Sequence, residues 1–182
     1  NSITYGQALK DAGLTFTSNA YGTFNWVDPN GVPNAGTAHY AVDFTPNAQA
    51  MQNYDWASDS RWIPSRNTLC VAVAVVVNKA DPGYTAPTAE ELVYNGSAQT
   101  LINAGSATTG TMQYAWGSAT EPTGSWSTTL PQGQNAGTYY VWYKVVGDEN
   151  HNDVAPACVA VTIAKKQIAK PAADNSTFTY NG

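Results

Sequence analysis

Tyr5-Gly6, Tyr94-Asn95-Gly96 and Tyr180-Asn181-Gly182 mark one place in a pattern that returns after 89 and then 86 residues. Two apolar runs ending in lysine, Val71 to Lys79 and Val159 to Lys165, close the first two copies. A period this long means one small domain per copy, stacked as an array. The 182 residues therefore divide into module one over 1–79, a linker over 80–87, module two over 88–165, and a second linker with the start of a third copy over 166–182. A module of about 80 residues buries roughly 60–65% of its unfolded surface, enough for one modest core. The pattern is cut at both ends, so the chain is expected to be part of a longer array, and a missing export signal carries no weight.

Alternation with a period of two runs through both modules. Tyr139, Val141, Tyr143 and Val145 face one way and Tyr140, Trp142, Lys144 and Val146 the other. Tyr40, Val42 and Phe44 alternate with His39, Ala41 and Asp43 in the same manner. Both strands follow an Asn-Ala-Gly-Thr turn, at 34–37 and 135–138, whose glycine supplies a positive φ. The closing strands set Val71, Val73, Val75 and Val77 against Cys70, Ala72, Ala74 and Val76, and Val159, Val161 and Ile163 against Cys158, Ala160 and Thr162. The small residues on the second face predict that it is partly covered. Helical patterning is confined to residues 48–54, where a single turn is expected. Trp26 and Tyr114 occupy matching inward positions and are assigned to the two cores.

Setting the modules side by side locates their differences. Module two carries an extra stretch around 117–132 and module one an extra stretch over 47–69. Insertions belong in surface loops, which carry function more often than strands do. The linker Ala80-Asp81-Pro82-Gly83-Tyr84-Thr85-Ala86-Pro87 is short and stiffened by its prolines.

Many short strands with Gly and Pro punctuation predict an all-β chain of two tandem immunoglobulin-like β-sandwiches plus the first strand of a third repeat. Asn135-Ala136-Gly137-Thr138-Tyr139-Tyr140-Val141 resembles the corner entering strand F of an immunoglobulin fold, with Tyr139 as the corner tyrosine and Val141 in the place of the cysteine. Module one departs from it, with Ala38 where Tyr139 stands. Val93-Tyr94-Asn95-Gly96-Ser97-Ala98-Gln99, Gly110-Thr111-Met112-Gln113-Tyr114-Ala115 and the run 137–153 (GTYYVWYKVVGDENHND) are similar to bacterial Ig-like repeats of the MBG type. So are Ile3-Thr4-Tyr5-Gly6 and Val32-Pro33-Asn34-Ala35-Gly36-Thr37. The resemblance covers about 150 of the 182 residues. It implies tandem modules in secreted or wall-attached proteins of bacteria, many of them Gram-positive gut species, and carries over no catalytic residue.

Chemistry-bearing motifs are scarce. There is no G-x-S-x-G elbow, C-x-x-C, H-E-x-x-H or phosphate-binding glycine loop, so no catalytic residue, metal ligand or cofactor is assigned. Eight scattered Lys and Arg against thirteen Asp and Glu leave no footprint for nucleic acid. No run of 18 apolar residues predicts a membrane span. The two cysteines, one per module, are read as half-buried thiols too far apart to bond. The oxygen-rich run 147–153 lacks Ca²⁺-loop spacing and reads as an ordinary polar hairpin loop.

Aromatic residues supply the candidate ligand-binding positions. The 47–69 stretch holds Tyr54, Trp56, Arg61 and Trp62, and strand F presents Tyr140 and Trp142 beside Lys144. Flat aromatics beside forked donors suit carbohydrate or protein contacts. Alternatively, Trp56 and Trp62 fold back over the end of their own module. The leading expectation is a structural spacer in an extracellular or cell-wall-associated bacterial surface protein, with neighbouring repeats as partners. The rival is an adhesin-type module that takes carbohydrate or a host surface protein on the 47–69 loop.

Overall fold

The computed structural model describes residues 1–14, 20–169 and 179–182. Strands β1 (Ser2–Thr4), β2 (Gly22–Trp26), β3 (Gly36–Pro46), β4 (Trp62–Ile63) and β5 (Thr68–Asn78) form one sheet in the order β1-β5-β3-β2, with β4 beside β5. β2, β3 and β5 pair antiparallel, while β1 joins β5 in parallel. Register follows the alternation. Val42 lies opposite Trp26 and Val71, Phe44 opposite Phe24 and Leu69, and Tyr40 opposite Val73. Directly opposed residues share a face, so the valines and aromatics gather on one side. Val42, Val75, Val77, Trp26 and Ile3 on that side are all buried. Each large apolar side chain removed from water contributes about 1.5–3 kcal/mol.

A 3₁₀ turn, Leu9–Ala12, lays Leu9 and Ala12 on the core, with Leu14 beside them. The turn roofs part of the first sheet. The opposite face is open. Ala41, Ala72, Ala74 and His39 are exposed, and so is Val76 at 43%. The cover predicted from its small residues is absent, because alanine presents too little apolar surface to require one.

The remainder of the chain supplies β6 (Tyr84–Thr85), β7 (Thr88–Ala89), β8 (Leu92–Val93), β9 (Gln99–Thr100), β10 (Ile102–Asn103), β11 (Ser106–Ala107), β12 (Thr111–Gly117), β13 (Gln132–Gly133), β14 (Gly137–Val146) and β15 (Val154–Ala164). The main sheet runs β12-β14-β15-β8, and β8 is parallel to β15. Its strand order is that of the first sheet, with β8, β15, β14 and β12 in the places of β1, β5, β3 and β2. Gly36 and Gly137, at the heads of β3 and β14, both take positive φ, +134° and +156°. Three short antiparallel ladders pair β6 with β11, β7 with β10 and β9 with β13. Val141, Val145, Val161 and Ile163 are almost wholly buried, as are Leu101 and Ile102 in and beside β10. Tyr114 is buried, in keeping with its assignment to the core.

The fold is thus all-β with one short helix, α1 (Ala48–Asn53), where the sequence predicts a single turn. The described residues fall into two compact units. One draws on Asn1–Ala86, Gly105–Gln113 and Lys144–Pro156, the other on Pro87–Ala104, Tyr114–Tyr143 and Ala157–Gly182. The strand predicted to open a third repeat, Thr177-Phe178-Thr179-Tyr180, lies partly outside the described residues; residues 179–182 carry no regular structure.

Candidate functional site

The 47–69 stretch departs from the end of β3 through a built turn. Asn47 caps α1, its Oδ1 accepting from the Ala50 N–H at 2.8 Å while its Nδ2 donates to the Ala20 carbonyl at 2.8 Å. A 3₁₀ turn, Trp56–Ser58, and β4 return the chain to β5. This path draws three of the four predicted residues of the loop into an aromatic cluster. Trp56 stacks on Trp62 with ring centres 6.1 Å apart, and Tyr54 meets Trp56 edge-on at 5.9 Å. Trp56 also packs on Phe44 at 5.8 Å and donates its indole N–H to the Ala50 carbonyl at 3.0 Å. The two tryptophans therefore fold back over the end of the sheet, and the ring that stays outermost is Tyr54, 53% exposed. Tyr21, which the sequence did not single out, adds an equally exposed ring 5.6 Å from Tyr54. Its hydroxyl pushes the Tyr54 phenol above its ordinary value.

The forked donors of this loop are occupied. Arg61 grips Asp59 through Nε at 2.9 Å and Nη2 at 2.6 Å. The Arg61 side chain and backbone N–H hold the Asp59 carboxyl at about 2, below the ordinary 3.8. Arg66 makes a second fork onto Asp43, Nε to Oδ2 at 2.9 Å and Nη2 to Oδ1 at 3.0 Å, which ties the loop to the sheet. An incoming carboxylate would have to displace an intramolecular partner at either arginine.

Tyr140 and Trp142 belong to the other unit and are half-buried. The Trp142 indole N–H donates to the Ser118 carbonyl at 2.8 Å. Its ring lies over Gly117, where an added Cβ would fall within 2.5 Å of Trp142 Nε1. The extra stretch after β12 is thus what covers Trp142. That stretch also runs back along β12, Tyr114 and Ser127 exchanging backbone hydrogen bonds at 2.7 and 2.9 Å, and so masks an edge strand. The Tyr139 hydroxyl donates to the Asn135 carbonyl at 2.7 Å, the contact expected of a corner tyrosine. A groove of about 400 Å³ opens beside Trp116, lined by Ser125, Ser127, Thr129 and Gln132.

The loop at residues 147–153 is more than an ordinary hairpin turn. Within the first unit it is bonded to the chain leaving β5. The Ala80 N–H donates to the Asn150 carbonyl at 3.0 Å, the Asn152 N–H to the Ala80 carbonyl at 2.8 Å, and Lys79 Nζ to the Asp148 carbonyl at 2.8 Å. Asn152 Nδ2 reaches Asp81 Oδ1 at 2.8 Å. Asn150 Oδ1 accepts from the Ala35 N–H at 2.8 Å, and the His151 ring meets Tyr5 edge-on at 5.3 Å. The loop braces itself internally: His151 Nδ1 lies 2.7 Å from Asp148 Oδ1, and Asp153 Oδ1 accepts from the Gly147 N–H at 2.8 Å. His151 and the Asn150 N–H hold the Asp148 carboxyl below its ordinary value. The two carboxylates are thus engaged with protein donors. The sequence signal for this clamp was a polar loop after strand F with three amide or imidazole side chains; the partners lie 69 to 146 residues away and are set by tertiary structure.

Among the described residues no three His, Cys, Asp or Glu side chains stand close enough to hold a metal. Both cysteines are free thiols; Cys70 is half-buried as predicted, but Cys158 is exposed because its strand position faces outward. No helix among the described residues is long and apolar enough to cross a membrane. No protein-family model matches the chain, and no curated protein and no solved structure matches it.

Proposed function

We propose that this chain is a pair of immunoglobulin-like spacer modules from a bacterial extracellular or cell-wall-associated surface protein, and that it catalyses nothing. The observation that carries this reading is the parallel pairing of the first and last strands in both main sheets. Ser2, Ile3 and Thr4 run alongside Val76, Val77 and Asn78, and Leu92 and Val93 alongside Ile163 and Ala164. In a parallel pair the chain enters at one end of the ladder and leaves at the other. Tension applied through the two ends loads the ladder bonds together in shear rather than one after another. A module of this kind bears force along a stalk. The shared strand order of the sheets, the Tyr139 corner contact and the resemblance to MBG-type repeats support the same reading.

Single-molecule pulling tests it. Two unfolding events are expected, each releasing roughly 250 Å of chain, the extended length of about 75 residues. Extension without resolvable force peaks would overturn the load-bearing role.

One observation favours a second reading, an adhesin-type binding module. Tyr21 and Tyr54 stand exposed on a tryptophan platform in the 47–69 loop. Aromatic faces of this kind stack on sugar rings or anchor a protein partner. A glycan array and a mucin pull-down decide between the readings; binding that Tyr54→Ala removes favours the adhesin, and no binding leaves the spacer.

A further inference from the structure

The clamp around residues 147–153 has two sides, and the second sheet carries its own copy of the receiving side. The receiving surface on the first sheet consists of Tyr5, the Asn34-Ala35 turn and Lys79-Ala80-Asp81. Pairing geometry fixes what corresponds to it. The Tyr5 N–H donates to the Asn78 carbonyl at 2.8 Å where β1 meets β5, and the Tyr94 N–H donates to the Ala164 carbonyl at 2.8 Å where β8 meets β15. Tyr94 therefore stands where Tyr5 does, and Lys165, Lys166 and Gln167 stand where Lys79, Ala80 and Asp81 do. Asn135-Ala136 precedes Gly137 as Asn34-Ala35 precedes Gly36, both glycines at positive φ.

We infer that Tyr94, Asn135, Ala136, Lys165, Lys166 and Gln167 form a docking surface for the Gly-Asp-Glu-Asn-His-Asn-Asp loop of a further copy of this repeat. The inference rests on the modular reading given above. Each group the loop uses on the first sheet has a counterpart here. Lysine, the Asn-Ala turn and the tyrosine ring are the same. The Ala80 contacts are made by its backbone N–H and carbonyl, which Lys166 also possesses. Gln167 keeps a side-chain oxygen to accept the amide that Asp81 accepts. Charge favours the match, since the loop carries Asp148, Glu149 and Asp153, and Lys166 adds a second cation beside Lys165. Exposure agrees at two positions: Tyr5 and Ala80 are half-buried with the loop against them, whereas Tyr94 is 38% exposed and Lys166 is exposed.

A handful of hydrogen bonds over a small area is weak between separate molecules. Tethering by a short linker raises the effective concentration to the millimolar range, so the contact forms in cis along an array. The test therefore uses a tethered copy: the chain carried through Gln167 and continued with a second copy of residues 82–182. Amide hydrogen exchange is read by NMR in this chain and in the original. The Ala136 and Lys166 amides are expected to exchange at least about tenfold more slowly in the extended chain, as Ala35 and Ala80 do in the original. Asn150→Ala made only in the added copy should restore fast exchange at Ala136 and leave Lys166 slow, because the lost side chain serves only the turn. An added copy whose own core strands are protected, with Ala136 and Lys166 unchanged, overturns the docking surface and leaves the spacer reading intact. An added copy that gains no protection in its own strands overturns the repeat reading and the docking with it.

Discussion

Single side chains in this protein settle conflicts that a polar, weakly charged sequence would otherwise leave open. Tyr139 is one. Its hydroxyl bonds the Asn135 carbonyl and ties the turn to the strand it starts, while the ring packs near Trp116 at 5.7 Å. Tyr139→Phe keeps the ring and deletes one hydrogen bond, so a loss of about 1 kcal/mol is expected in urea unfolding. Module one has Ala38 at this position, and no comparable loss is available there. Asp59 gives a titration signature. Its folded-state value, about 2, lies below the ordinary 3.8, with Arg61 as the cause. A depressed carboxyl adds stability at higher pH that fades as pH falls from about 4 towards 2. Asp59 is half-buried and its partner Arg61 exposed, so solvent screens the pair and the effect is small, but its direction is fixed. Asp59→Asn should flatten the dependence of the urea midpoint on pH within that window and leave the midpoint near pH 7 little changed. An identical slope in the variant would show that Arg61 does not hold Asp59 in solution.

At the scale of elements, the 47–69 stretch is a lid on its own sheet before it is anything else. Phe24, Phe44, Trp56 and Trp62 form one packed row, and Trp56 anchors it through the Ala50 carbonyl. Trp56→Ala removes that anchor. Because Trp56 is half-buried, the cost is expected at about 2–3 kcal/mol, below that of a fully buried tryptophan, with the thermal midpoint as the measurement. An unchanged midpoint would mean that the ring lies idle on the surface. The strands, the core positions of Trp26 and Tyr114, the single helical turn and the Tyr139 corner were legible in the sequence, because each follows from alternation or from a local turn. The roof over the first sheet was not. Leu9 and Ala12 sit in a 3₁₀ turn whose apolar positions are too few to show a period. The 147–153 clamp was equally hidden, since asparagine amides look alike whether they face water or a backbone N–H far along the chain. Of the candidate site, the gathering of Tyr54, Trp56 and Trp62 was foreseeable from their nearness in sequence. The pairing of Arg61 with Asp59 and the covering of Trp142 by Ser118 were not, because they depend on how each loop closes.

At the scale of the whole molecule, the sheets share a strand order but no strands, and this sets what a lesion in one does to the other. Val141 is fully buried in the second sheet. Val141→Asp places an uncompensated charge there at a cost of about 3–5 kcal/mol. A module this small holds only about 5–10 kcal/mol in total, so the second sheet should lose most or all of its stability. The first sheet has its own interior, in which Val42 and Val75 meet Trp26 and Leu9, and should keep it. Hydrogen exchange reads the outcome strand by strand. Amides around Val141 and Val161 should exchange freely in the variant, while those of Val42 and Val75 stay protected. Ala35 and Ala80 are the informative exceptions, because their amides are bonded to the 147–153 loop. They should lose protection even though the first sheet survives, because the loop they bond follows β14 directly. If Val42 and Val75 exchanged as fast as Val141, the two interiors would be one cooperative body, and an array of independent spacers would be the wrong description.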